Sequence, residues 1–114
     1  MVFVFGPLFS GKREYIKNVL GYSEEDFAFC PEEAGPVLVN AQELAPNCPD
    51  LEALCEALCA REVVSAAETG CGVVPADPAE RAAREASGRL CVLLAARAEK
   101  VIRVWCGLPE VLKG

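Results

Sequence analysis

The 114-residue chain contains no histidine. That removes the side chain that most often moves protons near neutral pH and most often binds metals. A mixed Cys/His zinc site and any histidine-based nucleophile relay are therefore excluded. Basic residues are also scarce, with 11 Lys and Arg against 17 Asp and Glu and a net charge of -6. A general nucleic-acid binder needs a basic face to displace counterions, so no nucleic-acid partner is expected. No apolar run approaches the roughly 18 residues that cross a bilayer, so no membrane partner is expected either. The opening "MVFVFG" has no basic leader and no small-residue cleavage site, which points to a cytoplasmic protein with reduced thiols. Internal repeats and low-complexity stretches are absent as well.

Cysteine, by contrast, is plentiful: seven residues, at 30, 48, 55, 59, 71, 91 and 106. The number is odd and no pair has C-x-x-C spacing. Cys55 and Cys59 share a helix face and have the reach to hold a metal, but small buried thiols pack a core without one. No metal ligands are assigned. With 53% hydrophobic and 25% charged residues, the chain is expected to form one packed domain over residues 1–114.

Apolar patterning alternates between strand and helix. Val2–Phe5 reads as a buried parallel strand and Lys12–Leu20 as a helix with Tyr15, Ile16, Val19 and Leu20 on one face and Gly21 at its end. Phe27–Cys30 and Val37–Val39 are short strand candidates. Pro49 suits the first turn of a helix over Asp50–Arg61, with Leu51, Leu54, Cys55 and Leu58 facing inward. "EVVSAAE" (62–68) is a further strand. Asp77 followed by Pro78 is an N-cap and first helical residue, opening a helix with a stripe of Ala79, Ala82, Ala83, Ala86, Leu90, Leu93 and Leu94. "KVIRVWC" (100–106) is the last strand, stopped by Gly107 and Pro109. The expected fold is α/β of the P-loop type: three layers, with a mostly parallel sheet of about five strands and helices on both faces.

Ligands in such sheets gather at the carboxyl ends of strands. There the first strand runs into Gly6-Pro7-Leu8-Phe9-Ser10-Gly11-Lys12-Arg13, which fits G-x-x-x-x-G-K. In a phosphate loop, backbone N–H groups converge on phosphate oxygens, glycines allow the tight turn, and the lysine reaches the β/γ oxygens. All eight residues are candidate nucleotide contacts. Arg13 stands where the Mg²⁺-binding hydroxyl belongs, so a Mg²⁺ ion is held elsewhere or not at all. The arginine then supplies charge in its place, or marks a loop that keeps only its shape.

The second half adds a resemblance. "AAETGCGVVPADPAERAAREASGRL" and "AARAEKVIRVWCGLP" (66–90 and 95–109) resemble the C-terminal half of the adenosylcobinamide kinase / adenosylcobinamide-phosphate guanylyltransferase family. Glu68, Gly70, Gly72, Val74 and Pro75 fit that family's N-E-V-G-x-G-I-V-P element. Arg84, Gly88 and Arg89 fit its long helix, and Ala98, Glu99, Val101 and Gly107 its last strand. The chain departs from the pattern at Arg13 for Ser, at Asn40 for an acidic residue and at Cys91-Val92 for Asn-Gln. Between Ala28 and Val37 there is no room for the segment carrying the guanylylated histidine. It therefore resembles a shortened, diverged member.

The resemblance implies ATP or GTP as the nucleotide, a corrinoid as second substrate and a homo-oligomer. It implies phosphoryl transfer to the aminopropanol hydroxyl of adenosylcobinamide, without guanylyl transfer. Lys12 and Glu68 are the catalytic candidates: Lys12 for β/γ charge, Glu68 for Mg²⁺ or a substrate proton. Glu68 serves equally as a cap on the turn that follows it. Gly70, Gly72, Arg84 and Arg89 are candidates for phosphate or substrate contact, though helix arginines are commonly a solvated face. A non-catalytic nucleotide- or corrinoid-binding module is the competing expectation.

Overall fold

The structure, a computed structural model, describes residues 1–68 and 77–114. β1 (Val2–Gly6) leads through the Gly-rich turn into α1 (Lys12–Asn18). β2 (Phe27–Ala28) and β3 (Val37–Leu38) follow, then a 3₁₀ turn over Ala41–Leu44 and α2 (Leu51–Leu58). β4 (Val63–Ala67), α3 (Pro78–Arg97), β5 (Lys100–Trp105) and β6 (Leu108–Lys113) complete the chain.

Among the described residues these strands form one sheet in the order β2-β3-β4-β1-β5-β6. The first five are parallel, and β6 runs antiparallel to β5. The chain leaves β1 toward one edge and, after β4, crosses to the other side of β1. Strand order thus reverses around β1, and the carboxyl end of β1 is the switch point where such sheets bind ligands.

Side chains alternate across the pleat, and both faces are apolar, as a doubly covered parallel sheet requires. Phe3, Leu38, Val64, Ala66 and Val101 point to one face, where Cys55 and Leu58 of α2 and Leu90 and Leu94 of α3 cover them. Val4, Val37, Val63, Ile102 and Val104 point to the other, under Tyr15 and Ile16 of α1. Each fully buried aliphatic side chain contributes about 1.5–3 kcal/mol. The 3₁₀ turn is tied in by polar bonds: Ser87 Oγ donates to Gln42 O at 2.8 Å, and Gln42 Oε1 accepts from Ala67 N–H at 2.9 Å.

The α/β, helix-on-both-faces expectation holds, and the five anticipated strands are all present. The sixth corrects the reading of Gly107 and Pro109 as terminators. Val104 pairs with Pro109 and Trp105 with Leu108, so Cys106 and Gly107 are a two-residue hairpin loop. Both have positive φ, at 53° and 75°, as a type I′ turn requires. Pro109 lies on the edge strand, where its missing N–H is tolerated. The helices are shorter than their periodicity suggests. α1 ends at Asn18 and α2 at Leu58, and Pro49 lies outside α2, before the capping residue Asp50. In α3 the buried stripe is Ser87, Leu90 and Leu94, whereas Ala79 and Ala82 are exposed.

Candidate functional site

The turn after β1 is bound to its surroundings at both ends. Glu68 N–H donates to Gly6 O at 2.8 Å, and Gly107 N–H donates to Ser10 O at 2.7 Å. A methyl group on Gly6 would sit 2.2 Å from the Val104 carbonyl oxygen. Only glycine lets β1 and β5 lie this close where the turn begins. Gly11, the residue before α1, has φ 94°, a conformation glycine adopts without steric cost. Phe9 also has positive φ, 59°, and with Leu8 forms an exposed apex.

Lys12 folds back over this turn. Its Nζ donates to Pro7 O at 2.7 Å and Gly6 O at 3.2 Å, with Ser10 Oγ at 3.5 Å. Burial pulls the Lys12 pKa below its ordinary value, the Glu68 carboxylate opposes that fall, and Arg13 adds to it. A partly desolvated ammonium held by carbonyls is a cation that an anion would satisfy better. The turn opens on a cavity of about 360 Å³ lined by residues 8–14 with Val39, Asn40 and Ser65. That volume lies within the range of small-molecule sites.

Arg13 borders the same cavity, and its guanidinium lies over the Phe29 ring, 5.3 Å from the centroid. Glu68 stands at the end of β4 with both carboxylate oxygens facing Arg103, at 2.7 Å from Nε and 3.1 Å from Nη2. Arg103 in turn lies 4.6 Å from the centroid of Trp105. Gly70 and Gly72 fall within 69–76, outside the described residues. Arg84 is half-buried on α3, and Arg89 is exposed and borders a separate cavity of about 800 Å³ between the start of α2 and the middle of α3. Neither arginine borders the turn's cavity. The fold therefore brings residues 6–13 and Glu68 together and sends Arg89 to another face.

Sequence reasoning named neither Ser65, which lines the cavity, nor Arg103 and Trp105, which stand beside Glu68. The available signal was period two: Arg103 and Trp105 share a sheet face at the carboxyl end of β5, and Glu68 ends β4 on that same face. A Mg²⁺ ion fits this lining poorly. Glu14 is the only carboxylate among the described lining residues, and the position after Lys12 carries a guanidinium instead of a hydroxyl.

A family model described as cobinamide kinase / cobinamide phosphate guanyltransferase matches residues 14–112. No curated protein matches the chain at a significant level.

Proposed function

The chain belongs to the cobinamide kinase / cobinamide phosphate guanyltransferase family, and we propose that it binds a purine nucleoside triphosphate on the turn formed by Gly6, Pro7, Leu8, Phe9, Ser10, Gly11, Lys12 and Arg13. We further propose that it transfers the γ-phosphoryl group to the aminopropanol hydroxyl of a corrinoid such as adenosylcobinamide. The matched span begins just after Lys12 and Arg13, so support for the turn comes from its geometry. The carrying observation is Lys12, cradled by the Gly6 and Pro7 carbonyls at the mouth of the cavity.

In this reading Lys12 leaves those carbonyls for the β/γ-phosphate oxygens and offsets the charge of transfer. The substrate oxygen forms a bond to the γ-phosphorus, the β–γ bridging P–O bond breaks, and the nucleoside diphosphate leaves with that electron pair. The hydroxyl proton passes to solvent. Glu68, with both oxygens in the Arg103 fork, acts in this proposal as a positioning residue. No step is assigned to a metal. Guanylyl transfer through a histidine is not part of the reading, because the chain supplies none.

Calorimetric titration with GTP and ATP, with and without Mg²⁺, tests binding. Wild-type protein is expected to bind, and Lys12→Ala to lose at least about tenfold in affinity, as for one charge-assisted contact. Equal affinity in the variant sinks the reading. Transfer of labelled γ-phosphate to adenosylcobinamide then separates a kinase from the second reading, a binding module without turnover. That second reading is favoured by the placement of Arg13 on Phe29.

A further inference from the structure

Trp105 is the single tryptophan of the chain, and it is 49% exposed at the carboxyl end of β5. An indole brings a large apolar surface that folding normally buries. Here the ring is held, rather than buried, and each restraint leads back to the Gly-rich turn. The Arg103 guanidinium lies on it at 4.6 Å from the centroid. That guanidinium is locked in turn by the two-pronged Glu68 carboxylate. The Glu68 N–H bonds the first residue of the turn, Gly6. Two residues past Trp105, the Gly107 N–H bonds Ser10 O within the same turn. Two residues of chain span at most about 7 Å, so the backbone of Trp105 lies beside the turn, with its side chain on the sheet face it shares with Arg103 and Glu68. It lies on the β5 side of β1, opposite the β4 side that carries Ser65.

We propose that Trp105 is the platform on which the base of the nucleotide stacks, with Arg103 as the splint that fixes the ring's orientation. The ligand class is a purine nucleoside triphosphate whose phosphates occupy the turn; the inference rests on the phosphate-binding reading above. Stacking needs a planar face, rigid support and partial exposure, and the Glu68–Arg103–Trp105 stack supplies all three. It gives affinity for any base with a π-face, and the guanidinium on the indole adds a cation–π contact. A ribose and the α-phosphate separate a purine from its β/γ oxygens, which suits a platform set beside the turn.

The lone tryptophan is its own reporter. Three ligands are titrated against intrinsic fluorescence and by calorimetry: GTP, ATP and inorganic tripolyphosphate. The expected result is quenching by the nucleotides and none by tripolyphosphate. Trp105→Ala is expected to weaken nucleotide binding by about tenfold while leaving tripolyphosphate affinity unchanged. Trp105→Phe keeps an aromatic face and restores most of the loss, which a purely structural role would not distinguish by ligand. Circular dichroism and thermal unfolding establish that each variant is folded. Nucleotide affinity unchanged in folded Trp105→Ala overturns the platform and leaves the turn's role standing. If wild-type protein binds neither nucleotide nor tripolyphosphate, the phosphate-binding reading fails and the platform falls with it.

Discussion

Arg13 illustrates the limit of reading a residue from its motif. Its position in the sequence suggests added charge at the phosphates, yet the side chain stacks on Phe29, an exposed contact of about 0.5–1 kcal/mol. The thiols are clearer. Burial, followed by neighbouring Cys59, pushes Cys55 from the ordinary 9.0 to about 11. Burial, followed by the Glu68 charge, raises Cys91 likewise to about 11. Between these values the unfolded chain releases protons that the folded chain retains. Their contribution to stability is therefore complete below pH 9 and is lost as pH rises through 11. Denaturant unfolding across that window should show stability falling with pH, with a shallower slope in a Cys55→Ala/Cys91→Ala double variant. Identical slopes would mean that these thiols are solvated.

The start of α3 is openly written in the sequence, because a cap depends only on neighbours along the chain. Asp77 accepts from Ala79 N–H at 2.9 Å with Pro78 as the first helical residue; at α2 the periodicity places Pro49 in the first turn, whereas Asp50 is the cap, accepting from Ala53 N–H at 3.1 Å. Asp77→Ala should cost about 1 kcal/mol of stability, with Asp77→Asn nearly neutral, measured by thermal unfolding. A neutral alanine variant would show that the long helix does not depend on its cap. The β5–β6 hairpin was hidden for the converse reason. Gly107 and Pro109 have the chemistry of a chain stop, and a cysteine at positive φ is not a turn signal. Only pairing with β5 makes Cys106-Gly107 a type I′ turn.

Across the whole molecule, protection should follow sheet position. β1 lies between β4 and β5 and has two hydrogen-bonded neighbours, whereas β6 is an edge strand exposed along its whole length. Native-state hydrogen exchange should place β1 and β4 amides near the global unfolding free energy and β6 amides well below it. Equal protection would imply that the edge is covered in solution. The sequence alone was enough to determine the α/β class, the order of the first five strands and three helices, the Gly-rich turn after β1, the Asp77 cap and the absence of any histidine chemistry. Each of these depends on residue type or on spacing within a few residues. Tertiary structure alone decided the sixth strand, the contact of Arg13 with Phe29, the placing of Arg89 at a separate cavity and the joining of Glu68, Arg103 and Trp105. Those outcomes depend on which strands become neighbours. Neighbour choice is set by how both sheet faces are covered, and local periodicity is blind to it.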